Sequence, residues 1–113
     1  MASLPFKSLS GATGTADGTA KDLEAIRESH EAYFVVSGFS GTSISAYLEL
    51  SPDGVNWWTP PETINANITG NGVYHISNGQ TPEGPVIALA RYIRASVIFT
   101  SASASVDGWV LSK

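Results

Sequence analysis

The sequence contains no cysteine, so neither a disulfide framework nor a thiolate metal site is open to it. It is also poor in charge. Only 14% of the 113 residues are Asp, Glu, Lys or Arg, against roughly 25% in ordinary soluble domains. Ser, Thr, Gly and Ala take their place, which leads us to expect a surface largely covered by partners. The balance of 10 acidic to 6 basic residues gives a formal charge of −4, without a basic cluster. That argues against nucleic acid and anionic membrane surfaces as partners. No apolar run is long enough to span a bilayer as a helix. The start, Met1-Ala-Ser-Leu-Pro, lacks the basic and apolar segments of a secretory signal, so an intracellular origin is expected. No stretch keeps a 3.6-residue apolar period through three turns, which leaves little room for helices.

What the chain does have is turn chemistry between β-rich runs. The stretch Ser51 to Trp58 is the clearest case. Pro52 presets φ for the second position of a type I turn, Asp53 suits the third, and Gly54 takes the positive φ that follows. Before it, Ile44, Ala46, Leu48 and Leu50 alternate with Ser45, Tyr47 and Glu49. After it come Trp57 and Trp58. A three-residue hairpin loop would set Leu48 opposite Trp58, placing Trp58 in the core and Trp57 outside near Tyr47. Ala32 to Gly38 is β-rich without clean alternation, as in a strand buried on both faces. Late in the chain, Ile93, Ala95, Val97 and Phe99 share one face of the longest run. Val106, Gly108 and Val110 then stand opposite Asp107, Trp109 and Leu111.

These signals describe a single-domain, all-β protein. The expected form is an antiparallel β-sandwich or jelly roll of about seven or eight strands. Residues 1–20 read as an extended, low-complexity N-terminal arm, and residues 21–113 as the sandwich domain. The arm's composition buries little, so it should be mobile unless its apolar end, Leu4 and Phe6, docks on a neighbour. Lys21 to Glu31 fits a helical turn or an irregular edge strand equally well. The expected core includes Leu48, Leu50, Trp58, Ile93, Val97 and Phe99, with Pro52, Asp53 and Gly54 as turn residues. Leu4, Phe6, Tyr47 and Trp57 are the candidate interface residues.

A search for chemistry finds little. His30 and His75 are the two possible imidazole bases, and neither lies in a nucleophile signature. Two histidines without cysteine make a poor zinc site. Glu49, Glu62, Glu83 and Asp107 have no spacing that brings any pair together for glycoside hydrolysis. Asp53 lacks the regularly spaced carboxylates of a calcium loop. A non-enzyme without a cofactor is the expectation. The rings of Tyr47, Trp57, Trp58, Tyr74, Tyr92 and Trp109 are numerous for so small a domain. They suit either a protein interface or a sugar-binding face.

The run from Phe34 to Trp58 reads as a strand ending in Ser-Gly, then Phe-x-Gly-Thr, an alternating strand, Ser-x-Asp-Gly and a tryptophan. With Arg91-Tyr-Ile-Arg94 later, it resembles small structural proteins of tailed bacteriophages, most of all capsid decoration (cement) proteins. Lys21 to Glu31 lies outside that pattern. The resemblance implies a β-sandwich or jelly roll without catalysis. It also implies a place on the outer capsid surface after synthesis in the host cytoplasm. The implied partners are the major capsid protein and copies of the chain itself, as a homotrimer, with neither nucleic acid nor membrane. Related tail and baseplate modules, or a carbohydrate-binding module, are the alternative.

Overall fold

The computed structural model describes residues 5–59, 65–77, 80, 81, 84, 85 and 88–113. Every regular element among them is a β-strand, and the protein is all-β as the turn pattern predicts. In chain order the strands are β1 (Phe6–Ala12), β2 (Ala16–Asp17), β3 (Lys21–Arg27), β4 (His30–Ser51), β5 (Ala66–Ile68), β6 (Gly72–Ser77), β7 (Gln80–Thr81), β8 (Gly84–Pro85) and β9 (Ala90–Ser112). The last two form a small separate pair.

The frame is the antiparallel pair β4 and β9, of 22 and 23 residues. A straight strand of β9's length would reach about 75 Å, yet the longest dimension of the molecule is 38 Å. Both strands therefore fold over. The bend lies where the β4–β9 register slips between Ser37 and Ser40. Gly38, Gly41 and Ser101 take positive φ there, at 65°, 114° and 46°. A Cβ on Gly41 would collide with the Ser101 carbonyl oxygen, so glycine is required for the close approach. Ser101 also marks a change of parity in β9. Ile93, Ala95 and Val97 point inward before it, and Val106, Gly108 and Val110 after it.

Folding the pair over makes two layers. One is β6, the first half of β4, the second half of β9, and β1. The other is β5, the second half of β4 and the first half of β9, with β2 and β3 side by side along β9. Phe34, Val36, Ile44, Leu48, Leu50, Ile68, Ile93 and Val97 fill the space between as one core. Burial of such side chains is worth about 1.5–3 kcal/mol each. Gly108 shows how closely the layers meet: a Cβ there would lie 3.2 Å from Ala95 Cβ of the other layer, besides 3.1 Å from Leu9 Cδ1 on the neighbouring strand. Ala95 and Gly108 belong to the same strand, on opposite sides of the fold.

Several sequence expectations change in this frame. The chain is not a loose arm from Phe6 onward. Phe6, Lys7, Leu9 and Ala12 pair with β9, and Ala16 and Asp17 pair with Val97 and Ser96. The sheet thus takes in residues on both sides of position 20. Leu9 and Ser8 are buried, and Ser8 Oγ accepts the Ala95 N–H at 3.0 Å while its hydroxyl donates to the Thr19 carbonyl at 2.8 Å. Composition hid this because Ser, Gly and Ala pair through backbone groups that every residue carries. Lys21 to Glu31, open between helix and strand in the sequence, is β3 leading into β4, with a register break between Asp22 and Arg27.

The organising turn is longer than a three-residue hairpin. Leu50, not Leu48, pairs with Trp58, through hydrogen bonds of 2.8 and 2.9 Å. Asp53 holds the loop: its Oδ1 accepts the N–H groups of Asn56 and Val55, both at 2.8 Å. Asn56 Nδ2 donates to its Oδ2 at 2.7 Å, and the Ser51 hydroxyl donates to Oδ1 at 3.0 Å. Those donors, Asn56 N–H foremost, hold the Asp53 carboxyl well below its ordinary range. Gly54 takes φ 79° as the turn chemistry requires.

His30 opens β4 fully buried. Its Nε2 lies 2.7 Å from the Ala88 carbonyl, which can only accept, so Nε2 carries the proton. Nδ1 lies 2.6 Å from Ser112 Oγ, and the Arg27 backbone is a further hydrogen-bond partner of the ring. Burial pushes the imidazole pKa below its usual 6.5. In the unfolded chain the ring gains a proton more readily than in the folded one. The stability held by neutral His30 is therefore complete above about pH 6.5 and is lost as pH falls below it. Thermal unfolding followed from pH 8 to 5 should show Tm dropping through that window, and His30→Gln should remove most of the slope.

Candidate interaction surface

A continuous exposed apolar area lies on the outer side of β6, β4, β9 and β1. Strand alternation puts Ala32, Phe34 and Val36 inside and turns Tyr33 and Val35 to solvent. This corrects the expectation of a strand buried on both faces. An unbroken apolar run reads alike whether its second face is covered by the fold or left open. Register then aligns the outer side chains into rows. His75, Tyr33, Trp109 and Lys7 form one row across four strands, and Val73, Val35 and Asp107 the next. Val73, Val35 and Tyr33 keep 69%, 40% and 38% of their surface exposed. The Tyr33 and His75 rings lie 4.6 Å apart at a 33° tilt.

Charge sits at the margin of this area. His75 Nε2 is 2.9 Å from Glu31 Oε1, and Lys7 Nζ is 3.6 Å from Asp107 Oδ1 and 5.3 Å from the centre of the Trp109 ring. An apolar centre with an ion-paired rim is the anatomy of a protein-docking surface.

The outer side of the other layer is different in kind. Arg94 Nε is 3.0 Å from Glu49 Oε1, and its terminal nitrogen is 3.5 Å from Asp17 Oδ2. The Ser96 hydroxyl is within hydrogen-bonding distance of both carboxylates, at 2.8 and 3.0 Å. The Trp57 ring stacks on the Arg94 guanidinium, 4.1 Å from ring centre to Cζ. Tyr47 stands beside this cluster. Burial, with Glu49 and Asp17 nearby, pushes its hydroxyl pKa up. The cluster's charges and ring are engaged with one another, and it crosslinks β2, β4, β9 and the turn.

The candidate interface residues of the sequence are thus placed apart. Leu4 lies outside the described residues. Phe6 pairs with Val110 and packs against the core, with Lys21 Nζ 5.5 Å from its ring centre. It is half-buried within its own fold. Tyr47 and Trp57 are half-buried in the Arg94 cluster, on the other layer. Of the expected core residues, Leu48, Leu50, Ile93 and Val97 are buried and Phe99 is half-buried. Trp58 is not in the core: 42% of it is exposed. It pairs with the buried Leu50, yet that pairing is a single bridge among the described residues. One bridge leaves a large ring at the rim with little to cover it. The sequence missed Tyr33, Val35 and Val73 as surface residues. The placement of Trp109 opposite Val110 was the one signal that pointed toward this face.

Among the described residues no group of three or more His, Asp or Glu side chains could hold a metal ion. No helix among them is long and apolar enough to cross a membrane. No protein-family model matches the sequence, and no curated protein matches it. The fold is similar to that in the crystal structure of the SPBc2 prophage-derived protein YomS, at 16% identity and a TM-score of 0.54, over 96% of this chain and 92% of that one.

Proposed function

We propose that the protein is a non-catalytic structural component of a bacteriophage virion, bound to the outside of the capsid and stabilising it through protein contacts. The observation that carries this reading is the exposed face of Tyr33, Val35 and Val73, with half-buried Trp109 in the same row as Tyr33. A row of rings flanked by carboxylates and amides would suit a glycan. Here the rings share the face with two valines, beside β1 and within a rim of ion pairs, which favours a protein partner. The phage assignment draws on the pattern from Phe34 to Trp58, now β4 and its turn, and on the shared fold with a prophage-derived protein. The partners are the major capsid protein and copies of the chain itself. The particles are assembled in the host cytoplasm. Each contact needs only modest strength, because several made at once act at high effective concentration.

The test is to purify particles with and without the protein and heat them while following DNA release. We expect the protein to occupy capsids at many copies and to raise the release temperature. Co-purification with tails, or binding to glycans, without an effect on the capsid would replace this reading with a tail, baseplate or sugar-binding role.

A further inference from the structure

Edge strands invite pairing with other chains, and proteins usually guard them with charge, brevity, proline or bulges. Among the described residues, four of the five edge strands of the main sheet carry such devices. β1 follows Pro5, bears Lys7 and breaks register twice. β2 is two residues long and includes Asp17. β3 carries Lys21, Asp22, Glu24 and Arg27, breaks register, and has Glu24 at φ 63°. β5 is three residues long. The exception is β6. It runs Gly-Val-Tyr-His-Ile-Ser, without formal charge or proline, and keeps unbroken register with β4 from Val36↔Gly72 to Glu31↔Ser77. Among the described residues, the backbone of residues 72–76 bonds to β4 and to nothing on its outer side.

We infer that β6 pairs with β6 of a second copy, antiparallel about a two-fold axis. A strand set against itself is complementary by symmetry and needs no other partner surface. Two copies of a chain with formal charge −4 repel one another. An edge with no acidic residue is where they can approach without bringing like charges together. Pairing there joins two four-stranded layers into one of eight strands. It also brings Val73 of each copy, 69% exposed in the single chain, to the seam between them. The Tyr33, Val35 and Val73 patches of the two copies then become one continuous face. Backbone hydrogen bonds provide the attraction, as in other cases of strand addition. The inference concerns the isolated protein, so its failure leaves the capsid reading standing. It replaces the three-fold symmetry that the sequence resemblance implies with a two-fold one.

Sedimentation equilibrium of the full chain tests it, together with Val73→Lys and the control Val55→Lys. Val55 is 77% exposed in the turn after β4, away from the β6 edge. The wild type and V55K should sediment at twice the chain mass. V73K should dissociate, with its dimer constant weakened by at least about tenfold. Hydrogen exchange on the wild type gives a second measure that needs no variant: β6 amides should gain protection as concentration rises. A wild type that is monomeric or trimeric throughout overturns the inference. So does a V73K that associates like the wild type, or β6 exchange that ignores concentration.

Discussion

Deleting residues 2–20 should abolish cooperative folding. The deletion removes β1 and β2, and with them the partners of β9 at Val106 to Val110 and at Ser96 and Val97. It takes away buried Leu9, worth about 2–3 kcal/mol by itself, and the packing of Phe6 and Ala12 on the core. Ser8 goes too, leaving the Ala95 N–H without its acceptor in the interior, a loss of about 1–3 kcal/mol. Against a total stability of about 5–15 kcal/mol for a domain of this kind, the sum is decisive. The bared β9 edge should in addition promote aggregation. Circular dichroism and a thermal melt check the outcome. The composition of residues 1–20 leads to the opposite expectation, an intact fold that merely assembles less well. A truncated protein with a sharp melt near the full-length Tm would show that the arm description was right and the pairing of β1 and β2 dispensable.

Phe34→Ala should lower the unfolding free energy by about 3–5 kcal/mol. Phe34 is fully buried and pairs with Gly108 across the β4–β9 ladder. Gly108 in turn is hemmed in by Leu9 and Ala95, so the surroundings cannot collapse far into the vacated space. Tyr33→Ala, one residue away on the outer face, should cost less than about 1 kcal/mol. Urea titration of the two variants measures the difference. Equal losses at both positions would mean that β4 is covered on both sides, as the bare sequence suggested.

The contrast between Tyr33 and Phe34 shows what kind of information each level carries. Alternation in Ile44 to Leu50 and in Ile93 to Phe99 is visible in the sequence, because one face of each strand is polar or small. The turn at Asp53 and Gly54 is visible because few residues can serve there. In Ala32 to Val36 every outward residue is also apolar, so the pattern is silent about which side is solvent. The same holds for Trp57 and Trp58: two adjacent rings carry no phase, and the loop that assigns them is two residues longer than the three-residue hairpin the turn chemistry suggests.

The sequence by itself determined that the chain is all-β, where the main turn lies, and which residues of the second half of β4 and the first half of β9 face inward. These follow from side-chain period and from the φ values that particular residues accept, both local properties. The tertiary structure alone decided that β4 and β9 fold over at Gly41 and Ser101, and that β1 and β2 complete the sheet. It alone also decided that Tyr33, Val35 and Val73 share an open face, and that β6 is the unguarded edge. Each of these depends on which backbone groups find partners far along the chain. Backbone groups are the same in every residue but proline, so the sequence holds no local mark of where they pair.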